Sequence, residues 1–314
     1  MFGKPLRNSL SCVALAALVA CGGGESAGED GLTGAVRIDG SSTVFPIMEA
    51  VVEEFQIENR GVRVTVGVSG TGGGFSRFCG GEIDIADASR PVRDSEREEC
   101  EANGIQMTEV PLAWDGLSVI VHPENTWAMC LTVPELNSIW APGSTVETWA
   151  DVRDGFPAEP INLYGPGTSS GTFDYFTEAI NGEGGASRPD YQASEDDNVL
   201  VQGISGDQYA MGYFGYAYYV ENQDRLRAVE IDNGSGCVAP SRETIEDGSY
   251  APLSRPLFMY VSHESATRPE VAAFLNYAIT NGPGLIPATG YIPLTTEQYD
   301  EQRSVIDGLT GAGQ

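Results

Sequence analysis

Short runs of β-branched residues alternate with longer stretches of helical periodicity in the first part of the chain. Val36–Asp39 is predicted as a strand, Val44–Asn59 as a helix and Val62–Val68 as the next strand. The alternation continues with a short helix at Gly74–Cys79, a strand at Ile83–Ala88, a helix at Asp94–Asn103 and strands at Met107–Leu112 and Leu117–Val121. Such alternation predicts an α/β fold with a largely parallel sheet and helices on both of its faces.

The pattern changes after Val121 and returns near the end of the chain. The middle segment predicts helices at Val133–Trp140, Gly171–Asn181 and Asn198–Ile204 and a strand at Ile161–Tyr164. Its aromatic run over 211–219 is predicted to form core, with a stacking platform for a ligand as the alternative. A strand at Leu257–Val261 and a helix at Pro269–Asn281 then resemble the opening part. We expect two α/β lobes, one built from 33–115 and 251–314 and the other from 116–250. The chain crossings between the lobes predict a hinge and a ligand cleft.

The first 20 residues have the pattern of a secretory signal. Lys4 and Arg7 precede an apolar run from Leu10 to Ala20 that is too short to span a membrane. Its ending, Leu-Val-Ala-Cys, is similar to a lipobox, which predicts a lipid on Cys21; an ordinary signal peptide cleaved nearby is the alternative. Residues 21–32 are then predicted as a flexible tether, and the protein as exported and lipid-anchored to the cell envelope.

Four cysteines remain once Cys12 is removed with the signal and Cys21 carries the lipid. They are Cys79, Cys100, Cys130 and Cys237. An even number in an exported chain favours disulfides, for which three pairings are possible. We favour Cys79–Cys100 and Cys130–Cys237, because each pair then closes within one predicted lobe. A metal site is the competing interpretation, but no two of these cysteines have C-x-x-C spacing.

The charge of the chain excludes several classes of function. It carries 45 Asp and Glu against 17 Lys and Arg, a net charge of −28, which argues against a nucleic-acid partner and against an anionic membrane surface. Lys4 is the only lysine, which excludes Walker-A NTPases and enzymes that form a Schiff base on lysine. His122 and His263 are the only histidines, too few for a typical zinc or di-iron centre, and no cofactor is expected.

Three clusters of Gly, Ser and Thr each lie where a predicted strand is followed by a helix. They are Asp39–Val44, Ser69–Phe75 and Gly165–Asp174. Helix N-termini present unpaired N–H groups and a partial positive charge, and glycine lets the backbone approach a ligand closely. Each cluster alone is explained by a helix cap followed by a turn. Three of them at strand ends predict an oxyanion site that needs no lysine.

A fourth segment ends the strand Ile83–Ala88 with an acid, a hydroxyl and a guanidinium. Arg90 can bind an oxyanion through charge-assisted hydrogen bonds. Asp87 suits an anion site only if the ligand carries a proton, because a carboxylate accepts an O–H but repels a fully ionised anion. Phosphate is protonated near neutral pH and sulfate is not, so Asp87 predicts selectivity for phosphate. The structural alternative is that Asp87 caps a turn or pairs with Arg90.

These motifs resemble those of the phosphate-binding lipoproteins of bacterial phosphate ABC transporters, the PstS-like family. The segments that carry the resemblance are 40–43, 70–75, 85–91, 113–117, 170–176, 194–198 and 254–257. The resemblance extends over nearly all of the mature chain. The resemblance implies the two-lobed periplasmic binding protein fold, similar to its type II form, and a dehydrated interlobe site for inorganic phosphate. It also implies a permease of the cytoplasmic membrane as the partner and a monomer that delivers phosphate without catalysis.

The resemblance implies a phosphate site made of residues from all four segments. They are Ser41, Ser42, Thr43, Val44, Gly72, Gly73, Asp87, Ser89, Arg90, Ser170, Gly171 and Thr172. Some members of the family have an arginine four residues before the Ser-Gly-Thr turn, where this chain has Pro166. Arg90 is therefore expected to supply the positive charge, alone or with Arg255. Phosphate is expected to meet the first lobe before closure brings the Ser170–Thr172 turn onto it.

Two other functions are consistent with parts of the sequence. Gly167–Gly171 fits the G-x-S-x-G motif of a nucleophile elbow, and a serine hydrolase would use Ser169 with His263. That hypothesis leaves the other two glycine clusters and Asp87 without a role. The second alternative keeps the binding fold and changes the ligand to sulfate, molybdate or a phosphonate, against which the argument from Asp87 counts.

Overall fold

The structure, a computed structural model, describes residues 31–311. The predicted signal at 1–20, Cys21 and most of the tether at 21–32 lie outside the described residues. The strands are β1 Gly34–Gly40, β2 Val62–Gly67, β3 Ile85–Ala88, β4 Met107–Val121, β5 Cys130–Thr132, β6 Asn162–Gly165, β7 Gln192–Ala193, β8 Ala210–Gly215, β9 Arg227–Ala228, β10 Glu230–Asp232, β11 Cys237–Val238, β12 Ser254–Ser262 and β13 Ile292–Pro293.

The helices lie between these strands and follow the last of them. They are α1 Phe45–Glu58, α2 Gly70–Cys79, α3 Asp94–Ala102, α4 Val133–Trp140, α5 Trp149–Val152, α6 Gly171–Asn181, α7 Asp197–Ser205, α8 Tyr216–Glu221, α9 Arg242–Glu246, α10 His263–Ala266, α11 Pro269–Thr280, α12 Gly282–Leu285 and α13 Thr296–Thr310. Among the residues that the structure describes, no helix combines the length and the apolar character needed to cross a membrane.

The main sheet is mixed, and the prediction of a largely parallel sheet is wrong at its centre. Its order is β2-β1-β3-β12-β4-β8-β6-β7, and only the two ends, β2-β1-β3 and β8-β6-β7, are parallel. β12 pairs antiparallel with both β3 and β4, and β4 pairs antiparallel with β8. The reason is that β4 leads the chain away from one half of the molecule and β12 leads it back, so these neighbours run in opposite directions.

Met107–Val121 forms one strand of 15 residues where the sequence predicts two. Asp115 and Gly116 interrupt the apolar pattern, so the sequence predicts a break between Leu112 and Leu117. Pairing with β12 carries the strand through this interruption, from the Met107–Ser262 pair to the Gly116–Ser254 pair. The strand continues because long-range hydrogen bonding, which the local pattern does not report, maintains it. The pairing is irregular only where the register shifts between Leu257 and Phe258, opposite Leu112.

The buried apolar residues form clusters on either side of this crossing, as expected for a two-lobed fold. One pair of clusters takes its residues from 36–113 and 257–306 and the other from 117–253, with Ile292. Trp114 packs against clusters of both groups. In the second group Tyr213 stacks on Phe176 at 3.7 Å between ring centroids, which places the centre of the aromatic run in the core. The cleft lies where the two groups meet.

The two favoured cysteine pairs are disulfide-bonded in the structure. Cys79 at the end of α2 is joined to Cys100 in α3, and both are fully buried. Cys130 in β5 is joined to Cys237 in β11, within the small sheet β11-β10-β5. Glu230 lies beside this second pair, but the two thiols are used by the disulfide and do not form a metal site.

Candidate functional site

The turn after β1 is tied to the end of β3. Gly40 has φ 151°, and a Cβ at this position would lie 2.1 Å from the carbonyl oxygen of Asp87, so only glycine fits there. The Ser41 N–H donates to the same carbonyl at 3.0 Å, and the Thr43 N–H donates to Ser41 Oγ at 3.2 Å. This close approach brings the Ser41–Thr43 turn next to Asp87.

The glycine-rich cluster after β2 is itself the first part of a helix. The sequence places the start of this helix at Gly74, whereas α2 begins at Gly70. A Cβ at Gly74 would lie 2.7 Å from Gly40 Cα, so the glycines let α2 pack directly on β1 despite their low helix propensity. Thr71 Oγ1 accepts the Ser89 N–H at 3.2 Å, which joins the start of α2 to the segment after β3.

The third cluster ends at α6, on the other side of the cleft. Ser170 is the N-cap of α6 and its side chain accepts the Thr172 N–H at 3.2 Å. A Cβ at Gly171 would lie 3.3 Å from both Cα and Oγ1 of Thr43. The start of α6 therefore touches the turn after β1, and the contact leaves little room for a side chain at position 171.

The cleft that these elements enclose has a volume of about 710 Å³. Six of the predicted site residues line it, and ten others line it with them. The six are Ser41, Ser42, Thr43, Gly72, Ser89 and Arg90. The ten are Gly70, Thr71, Arg93, Asp174, Tyr175, Glu178, Ala179, Gly184, Pro252 and Arg255. Three of the four predicted segments thus contribute at least one of the predicted site residues to the lining of the cleft.

The other predicted residues do not line the cleft. Val44 packs in the core with its side chain fully buried, and a Cβ at Gly73 would meet the Ser69 side chain. Ser170 is the N-cap of α6, and Gly171 and Thr172 are its first two residues. Asp174 and Tyr175, further along the same helix, do line the cleft.

Asp87 is buried, and neither of its side-chain oxygens has a hydrogen-bond partner among the described residues. Burial raises the pKa of Asp87 well above its ordinary range, and the nearby charge of Asp39 adds to the effect. Buried polar oxygens in proteins are almost always hydrogen-bonded, so an unsatisfied carboxyl group has to be explained. Asp87 is able to form a strong hydrogen bond with a group that reaches it.

Arg90 is held by an acid on its own side of the cleft. Its two terminal nitrogens donate to the two carboxylate oxygens of Glu96 at 2.8 and 2.7 Å. Glu96 also accepts the Arg93 N–H at the start of α3. These bonds raise the pKa of Arg90, and its guanidinium is already part of a bidentate ion pair.

Arg255 holds a more central position than Arg90. Its Nε donates to Asp115 Oδ2 at 3.1 Å, and its Nη2 donates to Thr43 Oγ1 at 2.7 Å. The guanidinium carbon lies 3.5 Å from the centroid of the Tyr175 ring. Arg255 thus contacts residues from both sides of the cleft, and its side chain is only 12% exposed.

The residues of α6 that line the cleft were missed at the level of sequence. Asp174, Tyr175 and Glu178 lie three, four and seven residues after Gly171, the spacing of one helix face. The spacing could be recognised in the sequence if Gly171 is assumed to face the ligand, because these three residues then lie on the same face of the helix. The position of Asp115 beneath Arg255 had no such signal, because it depends on the pairing of β4 with β12.

His263 does not belong to this cleft. Its Nε2 is 2.8 Å from Thr108 Oγ1, and the residue lines a second cavity of about 530 Å³ with Arg97 and Glu101. No lining residue is shared by the two cavities. Ser169, the nucleophile of the hydrolase hypothesis, is exposed, and its N–H donates to Glu195 Oε1 at 3.4 Å.

Comparison with known proteins places the chain in a family. The model of the PBP superfamily domain matches residues 25–281. The chain is 50% identical over 268 residues to protein SphX of Synechocystis sp., covering 84% of this chain and 80% of the relative. It is 36% identical over 296 residues to the phosphate-binding protein PstS of Staphylococcus saprophyticus, covering 94% and 91% of the two chains.

A solved structure agrees with the fold over most of the chain. It is the crystal structure of a possible phosphate binding protein from Planctomyces limnophilus, with a TM-score of 0.86 and 48% sequence identity. The match covers 88% of this chain and 99% of that chain. By sequence and by fold, the chain belongs to the PBP superfamily and, within it, to the PstS-like family of substrate-binding proteins.

Proposed function

We propose that this protein captures inorganic phosphate outside the cytoplasm and delivers it to the permease of an ABC transporter. The observation that carries the proposal is the meeting of the turn after β1, the start of α2 and Arg255 at one cleft, with the start of α6 against Thr43. Helix N-termini and a guanidinium are the groups that bind a small oxyanion without lysine. The name of the PstS relative supports phosphate as that anion.

We infer that Arg255 supplies the positive charge that neutralises the ligand. Arg90, the first choice from the sequence, already satisfies its guanidinium with Glu96. Arg255 bonds Thr43, which belongs to one of the predicted anion-binding turns, and lines the same cleft. Arg255 in this role compensates for Pro166, which stands where some family members have an arginine.

We propose that Asp87 recognises the protonated form of the ligand by accepting a hydrogen bond from it. Its buried oxygens have no partner among the described residues. Asp87 lies in β3, one residue before the strand ends, next to the Ser41–Thr43 turn. An ionised Asp87 accepts the O–H of a protonated phosphate, and the ion and the carboxyl group then hold one proton between them. Sulfate brings no proton at neutral pH, so its complex with an ionised Asp87 is repulsive.

We infer that capture proceeds by closure of two lobes, 33–115 with 251–314 and 116–250. The separate apolar clusters on the two sides of the β4–β12 crossing support this division. The contact of Gly171 with Thr43 is one that opening of the lobes would break. Phosphate would bind the turns of the first lobe, and closure would bring the start of α6 to it.

We propose that the chain works as a monomer held at the cell envelope by a lipid on Cys21. The lipobox-like sequence before Cys21 supports the anchor, and the family's role in transport supports an extracytoplasmic site. The protein would bind and release its ligand without chemistry. We therefore expect no turnover of a chromogenic phosphate monoester or carboxylic ester, by the wild type or by Ser169→Ala.

The test of the ligand is a thermal-shift screen of the intact mature protein with phosphate, sulfate, arsenate, molybdate and phosphonates. A ligand that binds only the folded state raises the Tm, so phosphate should give the largest increase, with isothermal titration calorimetry to measure affinity. Arg255→Gln should lose more phosphate affinity than the matched variant Arg90→Gln. A larger shift with sulfate or molybdate, or an equal effect of the two arginine variants, would contradict the proposal.

A further inference from the structure

Asp115 and Arg255 form a buried ion pair where the chain crosses between the two groups of apolar clusters. The two residues are directly opposite each other in the pairing of β4 with β12. Their side chains are 4% and 12% exposed. Leu117 and Leu253 on one side of the pair belong to one core cluster, and Ala113 and Leu257 on the other side belong to another.

The guanidinium of Arg255 is fixed in three directions. Asp115 accepts from Nε, Thr43 accepts from Nη2, and the ring of Tyr175 lies against the guanidinium plane. Nη1 makes no hydrogen bond or ion pair within the part of the chain that the structure describes. Since Arg255 lines the cleft and Asp115 does not, the acid sets the orientation of the arginine from behind.

A buried ion pair contributes little net stability, because desolvation offsets most of the attraction between its charges. Burial in fact raises the pKa of Asp115, although Arg255 opposes the increase. Asp115 can act on the cleft in two ways. Its carboxylate oxygen fixes the orientation of the Arg255 guanidinium, and its negative charge partly cancels the positive charge that the guanidinium presents to a bound anion.

We infer that Asp115 is a positioning residue for anion binding, which aims Arg255 through its oxygen and lowers the net charge of the cleft through its ionised carboxylate. This inference rests on the proposed function, and in particular on contact between Arg255 and the ligand. The orientation of Arg255 depends on the oxygen of the Asp115 side chain, and the net charge of the cleft depends on its ionisation, so the two effects can be separated by substitution. Asparagine keeps an oxygen that can accept from Nε but has no charge, whereas alanine has neither.

The experiment compares Asp115→Asn with Asp115→Ala by calorimetric titration of inorganic phosphate. Asp115→Asn should bind phosphate about threefold or more tightly than the wild type, because the guanidinium charge is no longer offset. Asp115→Ala should bind about tenfold more weakly, because the guanidinium loses the acceptor that fixes it. A residue with only a structural role would move both affinities in the same direction.

The same two variants are then made in the Arg255→Gln background. With no guanidinium to aim, they should have equal phosphate affinities, and a difference there as large as in the wild type would overturn the inference. If Asp115→Ala does not fold, Arg255→Lys replaces it: lysine keeps the charge without the fork, so phosphate affinity equal to that of the wild type would also overturn it.

Asp84→Asn is the matched control, because Asp84 is a buried acid paired with Arg37 and Arg268 and lines neither cavity. It should lower the Tm and leave phosphate affinity unchanged; an affinity change as large as that of Asp115→Asn would contradict a specific role for Asp115. Failure of the wild type to bind phosphate would overturn the proposed function itself. Normal wild-type binding with unaltered Asp115 variants would overturn only this inference.

Discussion

The carboxyl group of Asp87 is buried where no described residue forms a hydrogen bond with it. Neither oxygen is hydrogen-bonded within the described residues, and the side chain is almost completely buried. The cost of ionising it there is offset when a ligand donates a hydrogen bond to it. The residue is therefore expected to affect selectivity and ligand-free stability in opposite ways.

The selectivity prediction concerns Asp87→Asn. The amide presents both a donor and an acceptor, so it tolerates an unprotonated anion that the carboxylate repels. We expect the ratio of phosphate to sulfate affinity to fall by more than phosphate affinity itself. Calorimetric titration with both anions at neutral pH measures this ratio, and an unchanged ratio would show that Asp87 does not read the ligand proton.

The stability prediction concerns the same variant without phosphate. Burial, and then Asp39, raise the pKa of Asp87 in the folded protein above the 3.8 of an ordinary aspartate. The wild type therefore loses stability as pH rises through the folded pKa, and below the unfolded pKa this loss is absent. Asp87→Asn cannot ionise, so its Tm should exceed that of the wild type at neutral pH and approach it near pH 4.

The expected gain in Tm is about 2–4 °C for each 1 kcal/mol of relieved burial cost. Thermal unfolding followed by circular dichroism over this pH range, in phosphate-free buffer, measures it. A difference in Tm that stays constant with pH would mean that the substitution acts through packing and not through the charge of Asp87.

The position of α6 depends on a contact that only a small residue permits. A Cβ at Gly171 would lie 3.3 Å from Thr43, which is tighter than ordinary packing. Gly171→Val should keep the start of α6 away from the turn after β1 and weaken phosphate binding about tenfold or more, since the two turns would no longer contact one ion together. Calorimetry on the variant measures the loss.

Gly308→Ala is the control for this prediction. Gly308 lies within α13, and a Cβ there meets no atom within 4 Å. The substitution should leave phosphate affinity unchanged and stabilise the protein by about 0.5–1 kcal/mol, because alanine is the better helix former. Wild-type phosphate affinity in Gly171→Val would show that α6 does not need this contact for binding.

Local elements could be predicted well from the sequence, and their arrangement less well. The bounds of α4 and α6 are those predicted, because caps and apolar spacing are local signals. The continuity of β4 and the antiparallel place of β12 could not be predicted, because both arise from pairing between residues more than 130 positions apart. For the same reason the sequence favours Arg90 over Arg255, whose place in the cleft depends on that pairing.

The acidic charge of the protein opposes the approach of any anion. The net charge of −28 gives a long-range field of the same sign as the ligand, while the attractive groups act only within the cleft. The association rate constant for phosphate should therefore increase as salt is raised from about 0.01 to 1 M, since salt screens the distant charges first.

Stopped-flow measurement of tryptophan fluorescence follows this association, with sucrose of matched osmolality as the control. Sucrose should not increase the rate constant, because it does not screen charge. A rate constant that decreases with salt would mean that the local positive field extends beyond the cleft and dominates the approach of phosphate.

The single long strand β4 has a mechanical consequence for the protein. Its 15 residues span about 50 Å when extended, and together with β12 it forms a hydrogen-bonded ribbon through the crossing. A rotation at this crossing must twist or bend the ribbon, whose pairing is continuous apart from the register shift between Leu257 and Phe258. The resulting restoring torque grows with the angle, so we expect a modest range of rotation and a rapid elastic return after each excursion.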